Sequence, residues 1–149
     1  MKKTLAALIA GVAMLGSVSA VAVDKKVLPT SNAPAAIGPY SQGIMVGDTL
    51  YVSGQLPMDP QSGKVVDGSA GDVTRQSMNN IGAILAAYGM TMDNVVMATL
   101  YVTDLKEFGD INKAYGEYFK DGKAPARVTV QVAALPRAAR IEISVVAVK

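Results

Sequence analysis

Polar and apolar residues along this chain follow two rhythms, and the switches between them lay out the elements. Ile44-Met45-Val46 and Leu50-Tyr51-Val52-Ser53 are short apolar runs joined by Gly47-Asp48. A two-residue link with glycine at positive φ predicts a β-hairpin. Gly54 to Gly63, rich in Pro, Gly and Asp, reads as a loop. From about Asp72 onward, Met78, Ile81, Leu85 and Tyr88 recur at intervals of three and four, which predicts an amphipathic helix with Gly89 at the C′ position. Val95 to Val102 is β-branched and aromatic, and too apolar on both sides for a solvent-exposed edge strand. Asp104 stands where it can cap the next element. Phe108, Ile111, Tyr115 and Phe119 repeat the helical spacing and predict a second helix ending near Asp121-Gly122. Two last strands run from Arg127 to Val132 and from Arg140 to Val148.

The order is therefore β-β-α-β-α-β-β, preceded by an extended arm from Val27 to Ile37. Two helices against one sheet of five or six strands predict a compact α/β sandwich in which the helices cover one sheet face. The other face carries Val, Ile and Leu in place of charges. Burying it against copies of the same chain predicts a closed homo-oligomer.

The first 22 residues depart from both rhythms. Lys2-Lys3, an apolar run from Leu5 to Val18 that is rich in Ala and Gly, and small residues at Val18-Ser19-Ala20 and Ala20-Val21-Ala22 form the pattern of a secretory signal peptide. The run is short for a membrane span. Cleavage after Ala20 or Ala22 leaves a single domain over residues 23–149, periplasmic or secreted, with no stable membrane association. Removing Lys2 and Lys3 from the 14 basic residues leaves 12 against 12 acidic ones, so the mature chain is near neutral. A basic field suited to nucleic acid is missing, which argues against a nucleic-acid partner and against ribonuclease activity.

Cys and His are both absent. Thiolate and imidazole nucleophiles, Ser-His-Asp triads and Cys/His zinc sites are excluded together. Proton transfer falls to a carboxylate, a Tyr, a Lys or bound water. Two charges interrupt apolar strands: Arg127 in Pro125-Ala126-Arg127-Val128-Thr129-Val130 and Glu142 in Ile141-Glu142-Ile143-Ser144. Such charges need a partner or a function. Strand alternation puts Arg127, Thr129 and Gln131 on one side of their strand, and Glu142 and Ser144 on one side of theirs. Were the two strands adjacent, Arg127 and Glu142 could line one pocket, with the guanidinium fork gripping a carboxylate and Glu142 orienting a water. The alternative is a structural ion pair at a subunit interface. Tyr40 in its Gly-Pro-Tyr loop, Ser53-Gly54 at a strand end and Asn112 beside Ile111 are further candidates, each with an ordinary structural reading beside the functional one.

These pieces resemble the RidA family, also called the YjgF or reactive-intermediate deaminase family. The resemblance rests on Asn32-Ala33-Pro34-Ala35-Ala36-Ile37-Gly38-Pro39-Tyr40-Ser41-Gln42, Val52-Ser53-Gly54-Gln55-Leu56-Pro57, Asp104, Asn112-Lys113-Ala114-Tyr115, Pro125-Ala126-Arg127, Leu135-Pro136 and Ile141-Glu142-Ile143. It implies a homotrimer of chorismate-mutase-like α+β subunits, with a mixed sheet, two helices on one face and three clefts between subunits. It also implies cofactor-independent hydrolysis of small enamines and imines, such as 2-iminopropanoate and 2-iminobutanoate, to 2-oxo acids and ammonia. By position, Arg127 would hold the substrate carboxylate and Glu142 would position water and assist proton transfer. Tyr40, Ser53, Gly54, Asn112 and Thr129 would line the pocket, with Tyr40 reaching in from a neighbouring subunit. Thr129 departs from the family pattern, since many deaminating members carry Cys there. A non-enzymatic trimer that binds small carboxylates or acts as a chaperone is the alternative.

Overall fold

The structure is a computed structural model that describes residues 22–149, so the leader predicted over residues 1–22 lies, but for its last residue, outside the described residues. Five strands and two helices stand in the expected order: β1 (Gly43–Val46), β2 (Thr49–Gln55), α1 (Ala70–Ala87), β3 (Val95–Val102), α2 (Phe108–Gly116), β4 (Ala126–Gln131) and β5 (Ile141–Val148). Single 3-10 turns stand at Met92–Asn94, Leu105–Glu107 and Pro136–Ala138.

Local chemistry explains the boundaries. Gly47 has φ 56° and turns the β1–β2 hairpin. Ser69 caps α1 by accepting from the Asp72 N–H, while the Asp72 carboxylate accepts from the Ser69 N–H, a reciprocal capping box. At the other end Gly89, at φ 69°, sends the chain out of α1, and the Met90 N–H closes back on the Leu85 carbonyl. Asp104 caps the turn before α2 through the Lys106 N–H. Helix α2 stops at Gly116, about a turn and a half short of the expected end. Beyond it the N–H groups of Tyr118 and Phe119 bond carbonyls only three residues back, and the chain turns at Asp121 and Gly122, both with positive φ.

The sheet runs β1-β2-β5-β3-β4, with β3–β4 parallel and every other pair antiparallel. Ile141, Ile143, Val145 and Ala147 of β5 are buried against the helices with Leu50, Leu100, Met78, Ile81, Ile84 and Leu85. Full burial of a Val, Leu, Ile or Met side chain contributes about 1.5–3 kcal/mol. The residues between them, Glu142, Ser144 and Val146, point to the face without helices. That face is largely apolar and open: Tyr51 is 53% exposed, Val128 44% and Val130 38%.

Candidate active site

Lateral pairing fixes which side each candidate occupies. Arg127 pairs with Ala98, which is fully buried and pairs in turn with the buried Val145, so Arg127 and its strand-mate Thr129 face the helices. Glu142 pairs with Tyr101, and Tyr101 with Val130, so Glu142 faces the open side. Strand β3 lies between β4 and β5. The adjacency that a common pocket within one chain requires is therefore absent, and Arg127 and Glu142 look away from each other. Local alternation gave the two sides of each strand correctly, but nothing in it states which side meets the helix layer.

The candidates separate into two clefts. One, of about 260 Å³, is lined by Ile37, Tyr40, Ser53, Gly54, Leu56, Pro136 and Glu142. It is built on a β-bulge: Val52 opposes Val145 and Gln55 opposes Ile143, so Ser53-Gly54 carries one residue more than its partner strand. The bulge brings the Gly54 backbone against Glu142. A Cβ on Gly54 would lie 1.9 Å from Glu142 Oε1 and 2.7 Å from its carboxyl carbon, so only glycine admits the carboxylate in this place. The Ser53 hydroxyl donates to the Ser41 carbonyl at 2.6 Å and the Ser53 N–H to the Gln42 carbonyl at 3.0 Å. Ser53 thus anchors the loop before it through both its hydroxyl and its N–H.

That loop has a second anchor the sequence did not reveal. The buried Gln42 side chain accepts from the Thr30 N–H and donates to the carbonyls of Thr30, Ala33 and Pro34 at 2.8–3.3 Å. Tyr40 is carried on this latched segment, its hydroxyl accepting from the Ile37 N–H at 3.1 Å. It lines the same cleft as the Glu142 of its own chain.

The second cleft, of about 420 Å³, is lined by Asn112, Tyr115, Gly116, Phe119, Ala124, Pro125 and Arg127. The Arg127 guanidinium carbon stands 4.8 Å from the Tyr115 ring centre and 5.7 Å from that of Phe108. Sequence reading gave those two aromatics to the apolar stripe of α2. The hydroxyls of Thr129 and Tyr115 are both sequestered from solvent without a hydrogen-bond partner, and burial pushes the Tyr115 phenol up to about 12.

Neither central charge is neutralised. The ion pairs among the described residues are Arg75–Asp72, Arg75–Glu117 and Arg140–Glu107, which leave Arg127 and Glu142 without a counter-ion. Burial of Glu142 against the bulge raises its pKa above the ordinary carboxylate value. No group of three or more Asp or Glu side chains that could hold a metal ion occurs among the described residues.

Known proteins share this architecture. The family model described as Endoribonuclease L-PSP matches residues 30–149. A rat protein named 2-iminobutanoate/2-iminopropanoate deaminase is 48% identical over 127 residues, covering 85% of this chain and 92% of its own. The solved Rid-family protein YyfA of Yersinia pestis superposes with a TM-score of 0.82 at 44% identity, covering 85% of this chain and 100% of the other. Escherichia coli TdcF, solved with bound serine, gives a TM-score of 0.78 at 39% identity, covering 83% and 98%.

Proposed function

The chain belongs to the endoribonuclease L-PSP family, known also as RidA or YjgF, and from that membership we propose that it hydrolyses small reactive 2-imino acids such as 2-iminopropanoate and 2-iminobutanoate to 2-oxo acids and ammonia. One observation carries the reading: a guanidinium and a carboxylate, each without a counter-ion, stand in separate clefts on opposite faces of one sheet. Each chain holds two half-sites. A closed trimer that buries the open sheet face apposes the Arg127 cleft of one subunit with the Glu142 cleft of the next, so that Tyr40 comes from the subunit neighbouring that of Arg127.

The chemistry needs no cofactor, metal or strong nucleophile. Arg127 binds the substrate carboxylate through two parallel charge-assisted hydrogen bonds, as suits a family with a serine-bound relative. Glu142 takes a proton from water as the oxygen attacks the protonated imine carbon, forming the C–O bond while the C=N π pair moves to nitrogen. The same carboxyl returns the proton to nitrogen. The C–N pair then leaves with ammonia as a lone pair of the hydroxyl oxygen forms the C=O bond, and the hydroxyl proton passes to the Glu142 carboxylate and on to the ammonia, giving the 2-oxo acid and ammonium. A carboxyl whose pKa is raised by burial serves both as acceptor and as donor better than an exposed one. Holding the two reactants in register supplies much of the acceleration. Asn112 lines the Arg127 side, Thr129 sits two residues along the same strand as Arg127 with its hydroxyl buried and unpartnered, and Ser53 and Gly54 shape the Glu142 side. The protein works in the periplasm or outside the cell, a placement supported by the leader sequence of residues 1–22.

The test is release of 2-oxo acid and ammonia from imines that an L-amino-acid oxidase generates in place. Mature protein accelerates the release, and Arg127→Ala abolishes the gain. Calorimetric binding of 2-oxobutanoate with no acceleration for any amino acid would assign a carboxylate-binding module in place of an enzyme.

A further inference from the structure

We infer that Phe108 and Tyr115 are positioning residues for Arg127, an aromatic clamp that aims its guanidinium at the substrate carboxylate; the inference rests on the deaminase reading of this cleft. Both rings come from α2, seven residues and about two helical turns apart, and so stand on one side of the helix. They meet the guanidinium at 5.7 and 4.8 Å from their centres, within the range of a cation–π contact.

Aromatic faces hold an arginine differently from a carboxylate. A ring face attracts the flat of the guanidinium and leaves its in-plane N–H groups free for a bidentate fork. A carboxylate counter-ion would occupy those same donors and compete with the substrate. None of the ion pairs among the described residues reaches Arg127. The clamp therefore restrains a long side chain without consuming its hydrogen-bonding edge, and the rotamer freedom that binding would otherwise remove is already reduced.

Tyr115 forms the fixed jaw. It is 3% exposed, and its ring packs on Phe119 with centres 4.9 Å apart. With its phenol pushed up by burial, it stays a neutral ring near pH 7 and offers its quadrupole to Arg127, with no negative oxygen. Phe108 forms the outer jaw and is 39% exposed, so a substitution there leaves the core intact.

The test is Phe108→Leu beside Phe108→Tyr in full-length mature protein, with KM and kcat from the coupled oxidase assay and the Kd for 2-oxobutanoate by calorimetry. Loss of one aromatic face is expected to raise both KM and Kd about threefold to thirtyfold while kcat changes less, and Phe108→Tyr restores them towards wild type. Wild-type KM and Kd in Phe108→Leu, or a fall in kcat alone, overturns the clamp and leaves the deaminase reading standing. If wild type binds 2-oxobutanoate without turnover, the deaminase reading fails, and the Kd series still decides whether the rings position Arg127.

Discussion

Arg127 and Glu142 occupy opposite faces of one sheet, with strand β3 between the strands that carry them. A backbone sheet separates the two groups, so no rotamer of either brings them together within a chain. Each half-site can therefore be removed without touching the other.

Complementation between subunits is the most direct consequence. Arg127→Ala and Glu142→Gln each remove one half-site, and in a closed ring that draws its halves from neighbouring chains, a mixture holds some intact pairs. Equal amounts of the two variants, unfolded together and refolded, should recover about one quarter of the wild-type rate, since a site needs a chain with Arg beside a chain with Glu. Separately refolded and then combined samples are the control. No recovery above that control would mean that both groups must come from the same chain.

Glu142 links the site to pH. Its pKa is raised in the folded protein by burial, so the folded state holds a proton that the unfolded state has released. Stability contributed by this group is therefore greatest at low pH and falls as pH rises through the ordinary carboxylate pKa toward the raised one. Glu142→Gln should then raise the unfolding temperature at pH 7 by a few degrees, roughly, with the difference vanishing near pH 4, while kcat drops about a hundredfold or more. Calorimetric scans at the two pH values, paired with the oxidase assay, check both halves. A variant less stable than wild type at pH 7 contradicts the assigned cause.

Gly54→Ala puts a methyl group where the Glu142 carboxylate lies. The carboxylate can swing away at modest cost, so the expected outcome is a loss of about 1–3 kcal/mol in urea unfolding together with a fall of at least about tenfold in kcat/KM. Unchanged kcat/KM would show that the position of Glu142 on the bulge is irrelevant to turnover.

Gln42→Leu tests the latch beneath Tyr40. The change keeps side-chain bulk but strands the Thr30 N–H and three carbonyls that Gln42 serves. A destabilisation of about 1–3 kcal/mol is expected, with a higher KM as the Tyr40 segment loosens. Limited proteolysis should find new cuts between Thr30 and Tyr40; a pattern identical to wild type would mean that Gln42 does not hold the segment down.

Much of the architecture was legible because it is local. The two-residue turn at Gly47-Asp48, the helical stripe ending at Gly89 and the alternation through β5 are each written within a few residues, and the structure carries all three. The end of α2 is hidden in the sequence because Phe119 keeps the helical spacing while the chain around it has already tightened to three-residue bonds. Sheet order is a different kind of information. β5 inserts between β2 and β3, and that non-local pairing decides that Arg127 faces the helices while Glu142 faces the open side. For the same reason Phe108 and Tyr115 read as core residues: only the fold reveals that the apolar stripe of α2 ends against a guanidinium.

The separation of the two charges also has a consequence in concentration. On the proposed site shared between subunits, an unassembled chain carries both groups but no complete site, so dilution should switch the catalyst off. Activity per chain then depends on how many chains have met, rising faster than in proportion to their number until association saturates. If the site is shared as proposed, the sheet that keeps Arg127 from Glu142 makes turnover a report on assembly.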